Sequence, residues 1–183
     1  VKAPNTDPGG WAFEFANNNY PDIDDAAEVI IALSAARLPD REDFKRIDAI
    51  RRGVRWLLDL QSKNGGWAAF DKDNNRTYMS KIPFADFGEL LDPPSVDVAA
   101  HVMEMLGRLG YDLSFRPIKM AYEYIRSEQE NEGPWFGRWG VNYIYGTGAV
   151  LPALAAIGED MTQPYIQKAT SWLIAHQNTD SGW

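Results

Sequence analysis

Apolar residues recur along this chain with the three-to-four-residue step of amphipathic helices, and no series of alternating positions competes with that pattern. One run, Ala26-Ala27-Glu28-Val29-Ile30-Ile31-Ala32-Leu33, is predicted to start at Asp22 or Asp24. A second carries Ile50, Val54, Leu57 and Leu58. A third begins near Ser95, after Asp92-Pro93-Pro94, with Val98, Val102, Met105, Leu106 and Leu109 on its apolar face. A fourth is expected from Thr147-Gly148 through Val150, Leu151 and Leu154 to Ile157, stopping at Gly158. Ile166, Ala169 and Leu173 mark a fifth. The predicted fold class is all-α.

A repeat organises these helices. Gln61, Gln129 and Gln177 each follow an aromatic residue by five positions (Trp56, Tyr124, Trp172) and precede a tryptophan by six (Trp67, Trp135, Trp183). The residue after the leading aromatic is apolar in every copy: Leu57, Ile125, Leu173. Glycine stands between Gln and Trp, at Gly65-Gly66, Gly133 and Gly182, and Gly9-Gly10-Trp11 is the tail of a fourth copy. The glycine is expected to end the helix in a left-handed conformation, with the tryptophan folding back over the helix end. The glutamine is expected to pair with backbone groups left open in the last turn. Helix pairs repeated at spacings of 68 and 48 residues predict an α/α array.

Composition narrows the function. The chain has 183 residues, 45% of them hydrophobic, and no cysteine, so it can bury one core without disulfides. A net charge of −8 opposes binding to nucleic acid, which needs clustered Lys and Arg. The apolar stretches are too short and interrupted for a membrane-spanning helix, and no signal peptide is read. Opening on Val1-Lys2-Ala3-Pro4 and ending on Trp183 inside a repeat, residues 1–183 read as an internal segment truncated at both ends.

With its Gln–Trp repeats, the chain resembles the class II triterpene cyclases of the squalene–hopene type. Arg52-Gly53…Trp56-Leu57…Gln61…Gly65-Gly66-Trp67 looks like their QW repeat, as does Lys168-Ala169…Trp172-Leu173…Gln177…Gly182-Trp183. Ser181 there replaces a usual glycine, and Met120 fills the basic position of the middle copy. Asp22-Ile23-Asp24-Asp25 resembles the DxDD acid motif. Further likeness lies in Gly10-Trp11-Ala12-Phe13-Glu14-Phe15, in Ile82-Pro83-Phe84-Ala85-Asp86-Phe87-Gly88 and in the stretch from Phe136 to Gly146. The resemblance implies an α/α toroid (α-α barrel), incomplete here, that carries the catalytic DxDD motif. The double acid after Ile23 implies unactivated squalene as the substrate rather than its epoxide.

Protonating an unactivated alkene needs a strong acid held dry. Clustered carboxyls keep a proton bound near neutral pH by mutual repulsion, and a cationic partner stabilises the base left behind. The resemblance makes Asp24 the donor, with Asp22 and Asp25 as its supports. His101 is one of two histidines and stands four positions after Asp97, on one helical face with it. It matches the family's histidine partner of the acid, and Asp97 that histidine's orienting residue. Tyr145 is a candidate for returning the proton. Phe13, Phe70, Phe84, Phe87 and Trp139 match cavity aromatics whose faces stabilise migrating cations. Phe70 stands where some relatives carry tyrosine.

The resemblance implies an isomerase (intramolecular transferase) that turns squalene into hopene, with hopanol by water capture as a hydro-lyase side activity. No metal or organic cofactor is implied, since the initiating acid is a side chain and the DDxxD spacing of magnesium-dependent terpene synthases is absent. It further implies a monotopic membrane protein on the cytoplasmic face of the bacterial inner membrane, and allows a homodimer. Two alternatives stand beside this reading. One is another class II cyclase, of diterpene or tetraprenyl-curcumene type. The other is a non-catalytic α/α repeat domain that binds a partner.

Overall fold

The computed structural model describes residues 6–74 and 91–183, so Phe84, Phe87 and the stretch from Ile82 to Gly88 lie outside the described residues. Six helices follow one another there: α1 (Ile23–Ala35), α2 (Asp40–Asp59), α3 (Val96–Arg108), α4 (Arg116–Ser127), α5 (Asn142–Ala156) and α6 (Pro164–Ala175). Regular strand among the described residues is confined to a two-residue antiparallel ribbon, β1 (Trp11–Ala12) against β2 (Pro21–Asp22). The all-α expectation holds. α1, α3 and α5 pack side by side as one layer, while α2, α4 and α6 each lie against the helix that precedes them. α3 is central, and its apolar residues continue round the helix because neighbours cover it on several sides: Val98, Ala99, Ala100, Val102, Met103, Met105 and Leu106 are all buried.

The tryptophans fold back over the helix ends as expected, while the glutamines, expected to pair with the last turn, join one helix pair to the next. The indole Nε1 of Trp67 donates to the Leu57 carbonyl at 2.7 Å, that of Trp135 to Ile125 at 2.8 Å, and that of Trp183 to Leu173 at 2.9 Å. Each acceptor lies in the last turn of its QW helix, so tryptophan supplies the donor expected of glutamine. Glutamine instead bridges forward. Gln61 Nε2 donates to Gly65 O and to Pro117 O in the first turn of α4, and Gln129 Nε2 to Gly133 O and to Tyr165 O in the first turn of α6.

Glycine does not end these helices either. The cap residues Leu60, Glu128 and His176 keep negative φ, and the positive φ falls further on, at Gly65 (94°), Gly133 (115°) and Ser181 (70°). What Gly65 provides is close approach: a Cβ there would stand 2.2 Å from the Met120 carbonyl oxygen of α4.

α5 also departs from expectation, starting at Asn142 rather than at Thr147-Gly148. Gly146, ahead of the expected start, stands inside the helix in close contact. A Cβ on Gly146 would lie 2.4 Å from Gly137 N and 2.5 Å from Trp135 O, so its missing side chain lets the preceding loop rest on the helix.

Candidate active site

The acid motif sits where the ribbon delivers the chain into α1. Asp22 pairs with Trp11 across the ribbon and caps the helix. Its Oδ1 accepts the backbone N–H groups of Asp24 (2.7 Å) and Asp25 (3.1 Å). The following Ile23 N–H donates to Ala69 O at 2.8 Å, which ties the motif to the loop after α2. Burial pushes the Asp22 carboxyl up to about 6, against the two backbone donors that favour its charge. Burial and the neighbouring Asp24 charge raise Asp25 as well.

One turn into α3, His101 reaches across to this motif. Its Nδ1 lies 2.5 Å from Asp24 Oδ1, a contact bridging 77 positions, and 3.9 Å from Glu28 Oε1. Burial disfavours the imidazolium, but the hydrogen bond to Asp24 and the charges of Asp24, Glu28 and Asp97 together outweigh it, so the His101 pKa lies above its ordinary value. Glu28, one turn after Asp24 on α1, was not singled out in the sequence although its i+4 spacing carries the signal.

Two cavities flank this pair. One, of about 380 Å³, is lined by Asp22, Asp24 and Asp25 together with Phe13, Phe70, Trp139 and Tyr145. The aromatic residues in it were expected from the sequence, and Phe70 and Trp139 meet edge to face with ring centroids 6.3 Å apart. Phe13, Phe70 and Trp139 are exposed, Phe13 most of all at 78%. The second, of about 370 Å³, is polar on one side, with His101, Glu28, Glu104 and Arg108 in its wall. Tyr145 lines both cavities, with its ring edge-on to His101 at 6.1 Å. Burial raises its phenol well above the ordinary range, and the surrounding carboxylates add to that.

Asp97 is not where its expected role would put it. Fully buried in the first turn of α3, it makes no ion pair with His101 among the described residues. Its Oδ2 accepts the Trp139 backbone N–H at 2.8 Å, and its Oδ1 has no hydrogen-bond partner there. The i+4 spacing predicted a shared helix face, but the loop before α5 supplies a nearer donor. Asp97 acts on His101 through space, as one of the negative charges that favour its protonation.

Asp92 was seen in the sequence only as a helix-start signal. Its Oδ1 accepts Ala69 N (3.2 Å), and its Oδ2 accepts Phe70 N (2.6 Å) and Asp71 N (2.8 Å). In the motif, Asp22 Oδ1 is engaged by backbone donors and Asp24 Oδ1 by His101. Among the described residues no three carboxylate or imidazole groups converge as a metal site.

A carboxyl triad at a helix start, an imidazole hydrogen-bonded to its middle member and an aromatic cavity beside them define an acid site built on a two-layer helical array. The profile of the squalene–hopene cyclase C-terminal domain family matches residues 1–183, and the chain belongs to that family. It is 55% identical over 158 residues to a squalene–hopene cyclase of Alicyclobacillus acidocaldarius, covering 86% of this chain and 25% of that protein. With the squalene–hopene cyclase of Zymomonas mobilis it shares 48% over 184 residues, covering 100% and 28%. The chain thus spans about a quarter of the length of these curated relatives. In fold it is similar to the type II terpene cyclase MstE from Scytonema, with a TM-score of 0.65 at 21% identity over 96% of this chain and 46% of that one.

Proposed function

We propose that this chain is a segment of a longer enzyme that cyclises squalene to hopene, with hopanol as a side product, and that Asp24 protonates the terminal alkene. The observation that carries the proposal is the 2.5 Å contact of Asp24 Oδ1 with His101 Nδ1 at the edge of an aromatic cavity. With Oδ1 engaged by the imidazolium, Oδ2 of the neutral acid is the oxygen that gives its proton to the substrate. The new bond is C–H, the alkene's π electrons form it, and the carboxylate left behind is stabilised by the charged His101. Asp22 and Asp25, themselves biased toward the neutral form, keep the cluster from carrying three charges at once.

The cation then migrates along a chain of rings that offer quadrupoles and no nucleophile. Phe13, Phe70 and Trp139 are placed for its early positions, each worth about 0.5–2 kcal/mol. Phe84 and Phe87 belong to the same proposal by their place in the sequence. Tyr145, touching both cavities, is the residue proposed to return a proton to the acid. So apolar a substrate fits an enzyme seated in one leaflet of the membrane, and monotopic attachment at the cytoplasmic face, with dimerisation, belongs to this reading. No described helix is long and apolar enough to cross a bilayer.

The test is product analysis of the full-length enzyme with squalene. A pentacyclic hydrocarbon accompanied by its alcohol supports the reading. Cyclic products from a shorter isoprenoid alone point to another class II cyclase, and no cyclic product from either points to a binding domain.

A further inference from the structure

Two buried carboxylates that make no hydrogen bond to the acid cluster among the described residues grip the main chain directly behind the cavity's two facing aromatic rings. Asp92 spends both oxygens on three consecutive N–H groups, those of Ala69, Phe70 and Asp71. Asp97 spends one oxygen on the N–H of Trp139, 42 positions away. Phe70 and Trp139 are the rings that meet edge to face at 6.3 Å, and both line the cavity next to Asp24. Neither ring is fixed by burial, since both are exposed, whereas Asp92 is 8% and Asp97 0% exposed. A carboxylate desolvated to that degree depends on the few hydrogen bonds it does make, three for Asp92 and one for Asp97, so each holds its loop firmly.

We infer that Asp92 and Asp97 are positioning residues that hold the Phe70–Trp139 wall in place through its main chain, and that they thereby set which substrate fold the cavity accepts. The loop carrying Trp139 is fixed on its other side too. Gly137 and Gly140 lie so close to the Tyr145 ring that a Cβ would stand 2.7 Å and 2.3 Å from it. Asp97 and Tyr145 thus grip this loop from two helices, α3 and α5. The two carboxylates differ in a way that makes the inference testable. Asparagine can replace Asp97, because one oxygen accepts one donor. It cannot replace Asp92, because its single oxygen cannot serve donors on both sides and its NH2 would face an N–H.

The consequence for substrate fold rests on the cyclase reading above, but the positioning does not, so the experiment reads it without turnover. Full-length enzyme is labelled with 5-fluorotryptophan, and the Trp139 fluorine resonance is assigned by its loss in Trp139→Phe. Asp97→Ala is expected to shift and broaden that resonance, and Asp97→Asn to leave it in place. Asp92→Asn is expected to shift it through the displaced Phe70 ring. Should Asp97→Ala fail to fold, the two Asn variants carry the test. An unmoved resonance in Asp92→Asn, or one displaced in Asp97→Asn as far as in Asp97→Ala, overturns the inference. Product analysis of the same proteins separates this outcome from the cyclase reading: a displaced wall in an active Asp92→Asn enzyme alters the product ratio, whereas failure of the cyclase reading shows as no cyclic product from wild type.

Discussion

His101 on α3 hydrogen-bonds Asp24 on α1 at 2.5 Å, with Glu28 of the same helix 3.9 Å from the same imidazole nitrogen. Protonation of the imidazole is therefore favoured by acidic groups that do not share one element, Asp24 and Glu28 on α1 and Asp97 on its own helix.

This arrangement fixes a pH dependence. Because the folded His101 pKa lies above its ordinary value of 6.5, the imidazolium's contribution is complete below pH 6.5 and is lost as pH rises through the folded value. The alkaline limb of kcat/KM should lie above pH 6.5 in the full-length enzyme. Asp97→Asn removes one of the charges that sustain it, so the limb should move to lower pH. A limb that stays put in that variant would show that Asp97 has no electrostatic hold on the site.

Asp22 carries the same sign of pH effect in a lower window. A carboxyl raised from 3.8 to about 6 folds more favourably when neutral, so stability is present at pH 4 and is lost as pH rises from about 4 to 6. Asp22→Asn keeps an oxygen for the Asp24 and Asp25 N–H groups and removes the charge. Denaturation of the full-length enzyme should show a gain of roughly 1–2 kcal/mol at pH 7, allowing for partial solvent screening, and none at pH 4. Activity should fall nonetheless if, as proposed, Asp22 supports the donor. An equal gain at both pH values would rule out burial of the charge as the cause.

The forward bridge of Gln129 predicts how the repeats couple. Gln129→Glu puts an acceptor against two carbonyls, those of Gly133 and Tyr165. The expected loss is about 2–3 kcal/mol, shrinking as pH falls and the new carboxyl protonates. Urea denaturation at pH 8 and pH 4 checks this, and equal losses at the two pH values would refute it.

Ser181 occupies the repeat position that Gly65 and Gly133 fill, and it does so at φ 70°. A left-handed backbone costs a residue with a Cβ about 1–2 kcal/mol. Ser181→Gly should therefore stabilise the protein by about 1 kcal/mol in thermal unfolding, after glycine's greater unfolded-state entropy is set against the relief. A destabilised variant would mean that the serine side chain contributes more than its backbone costs.

Much of this was open to a reader of the sequence, and the physical reasons for the rest are specific. The Gln–Trp spacing identified the helix pairs because each unit repeats a local pattern, and the DxDD motif with its family resemblance pointed to Asp24 and His101. The fold-back of the tryptophan was legible, but not that its indole N–H, reaching back ten positions, would pair the last-turn carbonyl in place of the glutamine, since no helical period encodes that geometry. The partners of Asp97 and Asp92 escaped notice for the same reason, since their donors lie 42 and 21 to 23 positions away in loops. The start of α5 was placed too late, at Thr147-Gly148, because the role of Gly146 inside the helix, admitting the Gly137 backbone, exists only once the loop is in place.

The central claim is that Asp24 is the proton donor, and Asp24→Asn in the full-length enzyme tests it most directly. Asparagine keeps the size and an oxygen for His101 but has no acidic proton to give. Cyclic product from squalene, measured by gas chromatography and mass spectrometry, should fall by about 1,000-fold or more with the thermal midpoint little changed. Product formation within about tenfold of wild type in a folded Asp24→Asn enzyme would contradict the account.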